Sequence, residues 1–250
     1  MLISHSLLSL RGPAPLHHTL LQKRKKTGVT IQTLHAQHFD QGDIVCQTPW
    51  PGFEHRCESV PELLALTANE GANMLLTCIR NGDFVGGTHV KMSRSENPIE
   101  TKIVSAPKIT AHDRHLDWKT WKADDIIWRQ KIIGPLWNTL KLQATGGTKE
   151  KRVIWPGDFV EADDASLLGQ SIAIGEPFMN GLGTANQALY VRTCDEKILR
   201  TSEITVEGHT PKKPIVACRQ AGILSEDVGK FLKSPNERSR PRKLMLGSLY

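Results

Sequence analysis

The sequence lacks a C-x-x-C pair, an internal repeat and any apolar run of membrane-spanning length. Its five cysteines, Cys46, Cys57, Cys78, Cys194 and Cys218, are odd in number and scattered. That pattern argues against a zinc knuckle or a disulfide framework and predicts reduced thiols in an intracellular compartment. No stretch approaches the roughly 18 consecutive apolar residues of a transmembrane helix. The opening MLISHSLLSLRG lacks the basic n-region and small-residue cleavage site of a signal peptide and the Arg-rich, Ser-rich character of a transit peptide.

What is present describes a soluble globular chain. Its 250 residues are 39% hydrophobic, enough to bury a real core in one large domain or two small ones. A net charge of +6 is modest for a nucleic-acid binder, but the basic residues cluster. One cluster is Lys23-Arg24-Lys25-Lys26. The other is the stretch 233–243, with five Lys and Arg against Glu237. Such runs are solvated loops or tails as readily as polyanion sites.

Residues 28–34, GVTIQTL, alternate β-branched and polar positions, as a strand with one buried face does. A second strand is expected at 44–48, closed by Pro49-Trp50-Pro51. Ser59-Val60-Pro61-Glu62 has capping-box spacing, so a helix should start there, with Leu64, Ala68, Leu75, Cys78 and Ile79 near helical spacing. Asn81-Gly82 supplies its left-handed stop. Residues 86–107 are polar and Pro-containing, a connector. A helix is expected over 117–140, carrying Trp118, Trp121, Trp128 and Trp137 and stopped or kinked by Gly134-Pro135; these tryptophans suit a core more than base stacking. Short strands at 152–155, 171–174, 188–193 and 203–206 suggest a small barrel or sandwich.

The stretch HFDQGDIV, residues 38–45, places Asp40 and Asp43 in a turn leading into the second strand. Asp and Gly favour turns for their own backbone reasons, so spacing alone leaves this stretch open between punctuation and a catalytic corner. Adjacent His17 and His18 would point to different sides of an element, and His35 and His38 have no second ligand pair, so no metal site is expected.

Three stretches in order, Leu7-Leu8-Ser9-Leu10-Arg11-Gly12-Pro13-Ala14-Pro15, Thr27-Gly28-Val29-Thr30 and Phe39-Asp40-Gln41-Gly42-Asp43, resemble the second half of the folate-dependent formyltransferase catalytic domain. Ser105-Ala106-Pro107-Lys108-Ile109, followed by Leu116-Asp117-Trp118, is similar to the connection between the two domains of methionyl-tRNA formyltransferases. Glu207-Gly208, Lys212-Lys213 and Ala221-Gly222 resemble the close of that family's C-terminal barrel. DIIWRQKIIGPLWN and IQTLHAQHFDQGDIV look most like fungal mitochondrial members.

The resemblance implies a partial Rossmann-like α/β catalytic domain over 1–112, a mainly β, open-barrel tRNA-binding domain with a leading helix over 113–225, and a basic, disordered tail over 226–250. It implies transfer of a formyl group from 10-formyltetrahydrofolate to the amino group of methionyl-initiator tRNA, by a monomer in the mitochondrial matrix. Acyl transfer through a tetrahedral intermediate needs oxyanion donors and a base for the amine proton. The family's carboxylate for this task maps onto Asp40, with Gly42 turning the backbone beside the folate and Asp43 left to bond backbone in the turn. Its His maps onto His5, and Ser6, Leu7, Leu8 and Ser9 onto the folate-side loop. Arg11, Gly12, Lys212 and Lys213 map to tRNA contacts, with Arg219 nearby; from residue 113 onward 21 Lys and Arg stand against 17 Asp and Glu, an excess of +4, so a patch rather than bulk charge would hold RNA.

The match departs from the family's Asn-x-His-x-Ser-Leu-Leu-Pro. No Asn stands two positions before His5, His5 directly precedes Ser6, and Ser9 stands where Pro is expected. The strands that open the family's domain are also missing, which reads as an N-terminally truncated member and would leave sheet edges uncovered. The competing reading is a non-catalytic fragment that binds RNA or a protein partner. Formyl transfer to a small molecule is disfavoured, because it leaves the tRNA-type half without a role.

Overall fold

The computed structural model describes residues 2–4, 10–34, 36–37, 42–49, 51–84, 104–144, 147–162, 173–180 and 188–208, with backbone alone for 2–4, 141–144, 147–149 and 179–180. Most of the expected connector and the whole of 209–250, including the expected tail, lie outside the described residues. The chain divides into two compact units. One takes residues up to Asp113 together with 131–133, the other takes 114–130 and everything from Gly134 on.

In the first unit β1 (Leu2–Ser4), β4 (Thr30–Gln32) and β5 (Ile44–Gln47) form an antiparallel sheet with β4 in the middle. That central place explains why all three residues of β4 are buried, where alternation had predicted one buried face. The strand expected at 28–34 is shorter, Thr30–Gln32. β3 (Lys26–Thr27) pairs with β6 (Phe53–Glu54) in a separate ribbon, and only Thr30–Gln32 joins the sheet. β2 (Leu10–Arg11) pairs in parallel with β7 (Val104–Ser105), and β7 lies within the stretch 86–107 read as plain connector.

Two helices complete this unit, α1 (Pro15–Leu21) and α2 (Val60–Asn81). Ser59 caps α2 through its hydroxyl, which accepts from Glu62 N at 3.4 Å, while the Glu62 carboxylate takes the N–H of Glu58 at 3.0 Å. Gly82, at φ 69°, ends the helix in the left-handed conformation that sequence predicted. The buried stripe is Leu63, Thr67, Gly71 and Cys78; of the expected positions Cys78 is buried and Leu75 packs against its cluster, whereas Leu64 and Ile79 are 45% and 50% exposed. Small residues at 67 and 71 make that stripe, and the Thr67 hydroxyl is satisfied within the helix by the Leu63 carbonyl at 2.8 Å. Cys78 packs with Ile31 and Val45 of the sheet.

The second unit opens with Trp118, buried edge-to-face against Trp155 and Phe159 with ring centroids 5.7 Å from each. α3 (Ala123–Ile133) is shorter than the helix expected over 117–140. Gly134 takes φ 80° and Pro135 cannot donate a helical bond; the chain continues as β8 (Leu136–Ala144), hairpin-paired with β9 (Gly147–Trp155). Of the four tryptophans placed on one helix, only Trp128 is on α3; Trp137 is on β8, half-buried beneath the Arg152 guanidinium at 4.1 Å.

Further antiparallel strands follow: β10 (Val160–Glu161), β11 (Pro177–Asn180), β12 (Ala188–Arg192), β13 (Ile198–Thr201) and β14 (Thr205–Val206). They give one sheet in the order β10-β13-β12-β11 and another in the order β14-β9-β8. The expected strands at 152–155, 188–193 and 203–206 fall on β9, β12 and β14; at 171–174 only Ala173 and Ile174 are described, and Ile174 makes an isolated bridge to Arg192. Among the described residues the sheets do not close on themselves.

Candidate functional site

The candidate site is the loop that leaves β4 and returns as β5. Thr33, just past β4, holds the base of the loop: its N–H donates to the Asp43 carbonyl at 2.9 Å, and its hydroxyl accepts from Asp43 N at 2.9 Å. Gly42 lies directly over this pinch. A Cβ at Gly42 would run into the Thr33 carbonyl, so the position requires glycine because of the chain's own backbone. Asp43 bonds Thr33 through its main chain and is itself exposed. At the other end of the hairpin the Thr48 hydroxyl accepts from Val29 N at 2.9 Å.

Asp40, the carboxylate of the sequence reading, lies outside the described residues, as do Gln41, His38, His35 and Phe39. His5, Ser6, Leu7, Leu8 and Ser9 lie outside them too. The described anchors on either side are Ser4, paired with Thr30, and Gly42, packed on Thr33. They stand at opposite ends of β4.

The Arg11-Gly12-Pro13-Ala14-Pro15 segment is fixed by a second device. Arg11 O accepts from Ala106 N at 2.6 Å, Ala14 N donates to Ala106 O at 3.1 Å, and the His18 Nε2 lies 3.0 Å from Pro107 O. Gly12 takes φ 132°, and a Cβ there would be 2.5 Å from the Ala106 carbonyl oxygen. Thus two stretches singled out in the sequence, RGPAP and SAPK, clasp each other. Leu10 is buried beneath this clasp and Arg11 is exposed, with no ion pair to any described residue.

The basic run turns from α1 into β3. Arg24 Nε donates to Gln22 Oε1 at 2.7 Å, and Lys26 lies 3.8 Å from Glu54. Beside it, burial holds the His55 ring below the ordinary histidine range. Lys212, Lys213 and Arg219 lie outside the described residues. Among the described residues no group of three or more His, Cys, Asp or Glu is placed to hold a metal ion, and no helix is long and apolar enough to cross a membrane.

Sequence reasoning missed Thr33 and Ala106, the two partners that fix these loops. The signal for Ala106 was present in the SAPK stretch, read as part of a connector; Thr33 carried none, being one more polar position at the end of a strand.

No family model matches the sequence. The chain is 31% identical to the methionyl-tRNA formyltransferase of Bacillus subtilis over 222 residues, covering 89% of this chain and 62% of that protein. It is 31% identical to the human mitochondrial methionyl-tRNA formyltransferase over 170 residues, covering 66% of this chain and 40% of that one. The Saccharomyces cerevisiae mitochondrial enzyme matches at 28% over 144 residues. The chain thus spans about two-fifths of the length of the first mitochondrial relatives it matches. Among solved structures, HypX of Aquifex aeolicus in complex with tetrahydrofolic acid matches with a TM-score of 0.52 at 13% identity, covering 93% of this chain and 38% of that one. That likeness concerns the fold and supports an α/β architecture. By sequence, the chain is a homologue of the methionyl-tRNA formyltransferases, bacterial and mitochondrial.

Proposed function

We propose that the chain transfers a formyl group from 10-formyltetrahydrofolate to the amino group of methionyl-initiator tRNA, in the initiation of mitochondrial translation. The observation that carries this reading is the 31% identity to the Bacillus subtilis enzyme over 89% of this chain. It extends through both units. A transferase acting on a small molecule would leave the second unit without a partner. The mitochondrial setting rests on the relatives named for that organelle.

In this reading Asp40 orients His5 and holds the proton that the attacking amine releases, a task for a positioned carboxylate and imidazole. The backbone at Ser6, Leu7, Leu8 and Ser9 borders the folate, which supplies the activated formyl group. Gly42 contributes by fixing the loop on Thr33, since the space a side chain would need there is taken by the Thr33 carbonyl. Arg11, Gly12, Lys212 and Lys213 meet the tRNA. Arg11 suits a phosphate contact: it is exposed at the end of β2, held by the Ala106 clasp, with no carboxylate among the described residues to compete for it. The sheets of the second unit form the open barrel that holds the acceptor end.

Two binding measurements separate this reading from a non-catalytic fragment. Protection from thermal unfolding by a folate, together with retardation of tRNA in a native gel, supports the transferase. Retardation of tRNA with no folate protection supports an RNA-binding fragment instead.

A further inference from the structure

Two cysteines meet inside the first unit. Cys46 lies on β5, half-buried, and Cys78, buried, lies near the end of α2. Although 32 residues apart in sequence, the Cys78 thiol donates to the Cys46 sulfur at 2.8 Å. Ile31, Val45, Met74 and Leu75 pack around the pair. A disulfide holds its sulfurs about 2.05 Å apart, so closing this pair takes a shift of under about 1 Å. The other described thiols, Cys57 and Cys194, hold no such neighbour: Cys194 donates to the Trp121 carbonyl at 3.3 Å.

We propose that Cys46 and Cys78 form a dithiol pair that closes into a reversible disulfide when the protein meets a small disulfide oxidant, stapling α2 onto β5. The step is thiol–disulfide exchange. The Cys46 thiolate, the more accessible of the two, attacks one sulfur of the oxidant, whose S–S bond breaks and whose other half leaves as a thiolate. Cys78 then gives up its proton and attacks the Cys46 sulfur, releasing the second half. Two protein S–H bonds and one oxidant S–S bond are lost. One protein S–S bond and two small-molecule thiols are formed, so the protein loses two electrons and the oxidant gains them.

Burial and the bond from Cys78 push the Cys46 thiol up to about 12, so thiolate is scarce at neutral pH and the exchange is slow. The staple therefore forms slowly, under sustained exposure to the oxidant. Its placement gives it a consequence. β5 begins at Ile44, directly behind Gly42 and Asp43, so the closed staple ties the outgoing limb of the candidate loop to a 22-residue helix.

The test is to incubate the full native chain with glutathione disulfide, alkylate remaining thiols, digest, and map cysteines by mass spectrometry. A peptide linking Cys46 to Cys78 that dithiothreitol releases is the expected result, with the oxidised protein unfolding at a higher temperature than the reduced. Cys78→Ser should leave Cys46 as an unresolved glutathione adduct. Recovery of Cys46 and Cys78 as free thiols while Cys57 has taken up glutathione overturns the proposal, as does a link from either one to another cysteine; both read-outs come from the unaltered chain.

Discussion

Gly12 and Gly42 stand where one part of the backbone passes so close to another that a side chain has no place. At Gly12 two costs coincide, a φ of 132° and an Ala106 carbonyl oxygen 2.5 Å from where Cβ would be. At Gly82 only the first applies, since nothing lies within 4 Å of a Cβ there. Gly12→Ala should therefore destabilise the protein by about 2–4 kcal/mol, and Gly82→Ala by only about 1 kcal/mol. Urea unfolding of the two variants checks the order; equal midpoints would remove the clasp with Ala106 from the account. Both loop glycines belong to stretches that were legible as motifs, RGPAP and DQGD. Their partners were not, because a contact with Ala106 or Thr33 depends on how distant segments come together, which no local spacing encodes.

Among the elements, α2 was legible at both ends and misjudged along its length. Ser59, Glu62 and Gly82 act within a few residues of the helix ends they fix, so local sequence reports them. Its buried side was assigned to Leu64, Ala68, Leu75, Cys78 and Ile79 by helical spacing of apolar residues, whereas the surface it meets selects Leu63, Thr67 and Gly71 together with Cys78. Leu63→Ala should cost about 2–5 kcal/mol and Leu64→Ala under about 1 kcal/mol; similar losses in thermal unfolding would contradict the face described. The segment after Gly134 was taken for helix for a related reason. Leu136 and Asn138 are buried, with Trp137 half-buried between them and Thr139 exposed, but a buried Asn, which accepts from Trp155 Nε1 at 2.6 Å, hides the alternation. α3 likewise carries no cap of its own: Lys122 makes no side-chain cap bond, and Asp195, far along the chain, accepts from Ala123 N at 3.1 Å. Partial burial works against the Asp195 charge, yet the Thr193 hydroxyl and Ala123 N–H together hold its carboxyl below the ordinary value of 3.8. A lowered folded-state pKa gives a contribution that is complete above pH 3.8 and is lost as pH falls through the lower folded value. Asp195→Ala should cost about 1 kcal/mol near neutral pH, and the gap from wild type should narrow in acid; urea midpoints across that range measure it, and a gap that widened would contradict the assignment.

For the molecule as a whole, the ordered motifs carried more information than any element boundary. α1 stands between RGPAP and TGVT, and the strand expected at 28–34 is Thr30–Gln32, yet the order of RGPAP, TGVT and DQGD survives such errors. The structure adds that RGPAP is held by SAPK and that the loop between β4 and β5 is pinched at Thr33 and Asp43. The architecture of the second unit was legible only as a leading helix and short strands, because what ties α3 to the segment 155–159 is Gln130, which donates to the Trp155 and Gly157 carbonyls and accepts from Phe159 N. The chain's relation to methionyl-tRNA formyltransferases runs through both units, and the central claim follows from it. Its most direct test is transfer of labelled formyl from 10-formyltetrahydrofolate to methionyl-tRNA by the chain as written. Label should appear on the methionyl amino group, and Asp40→Asn should lower the rate by about 100-fold or more; no transfer by the unaltered, folded chain would contradict the claim.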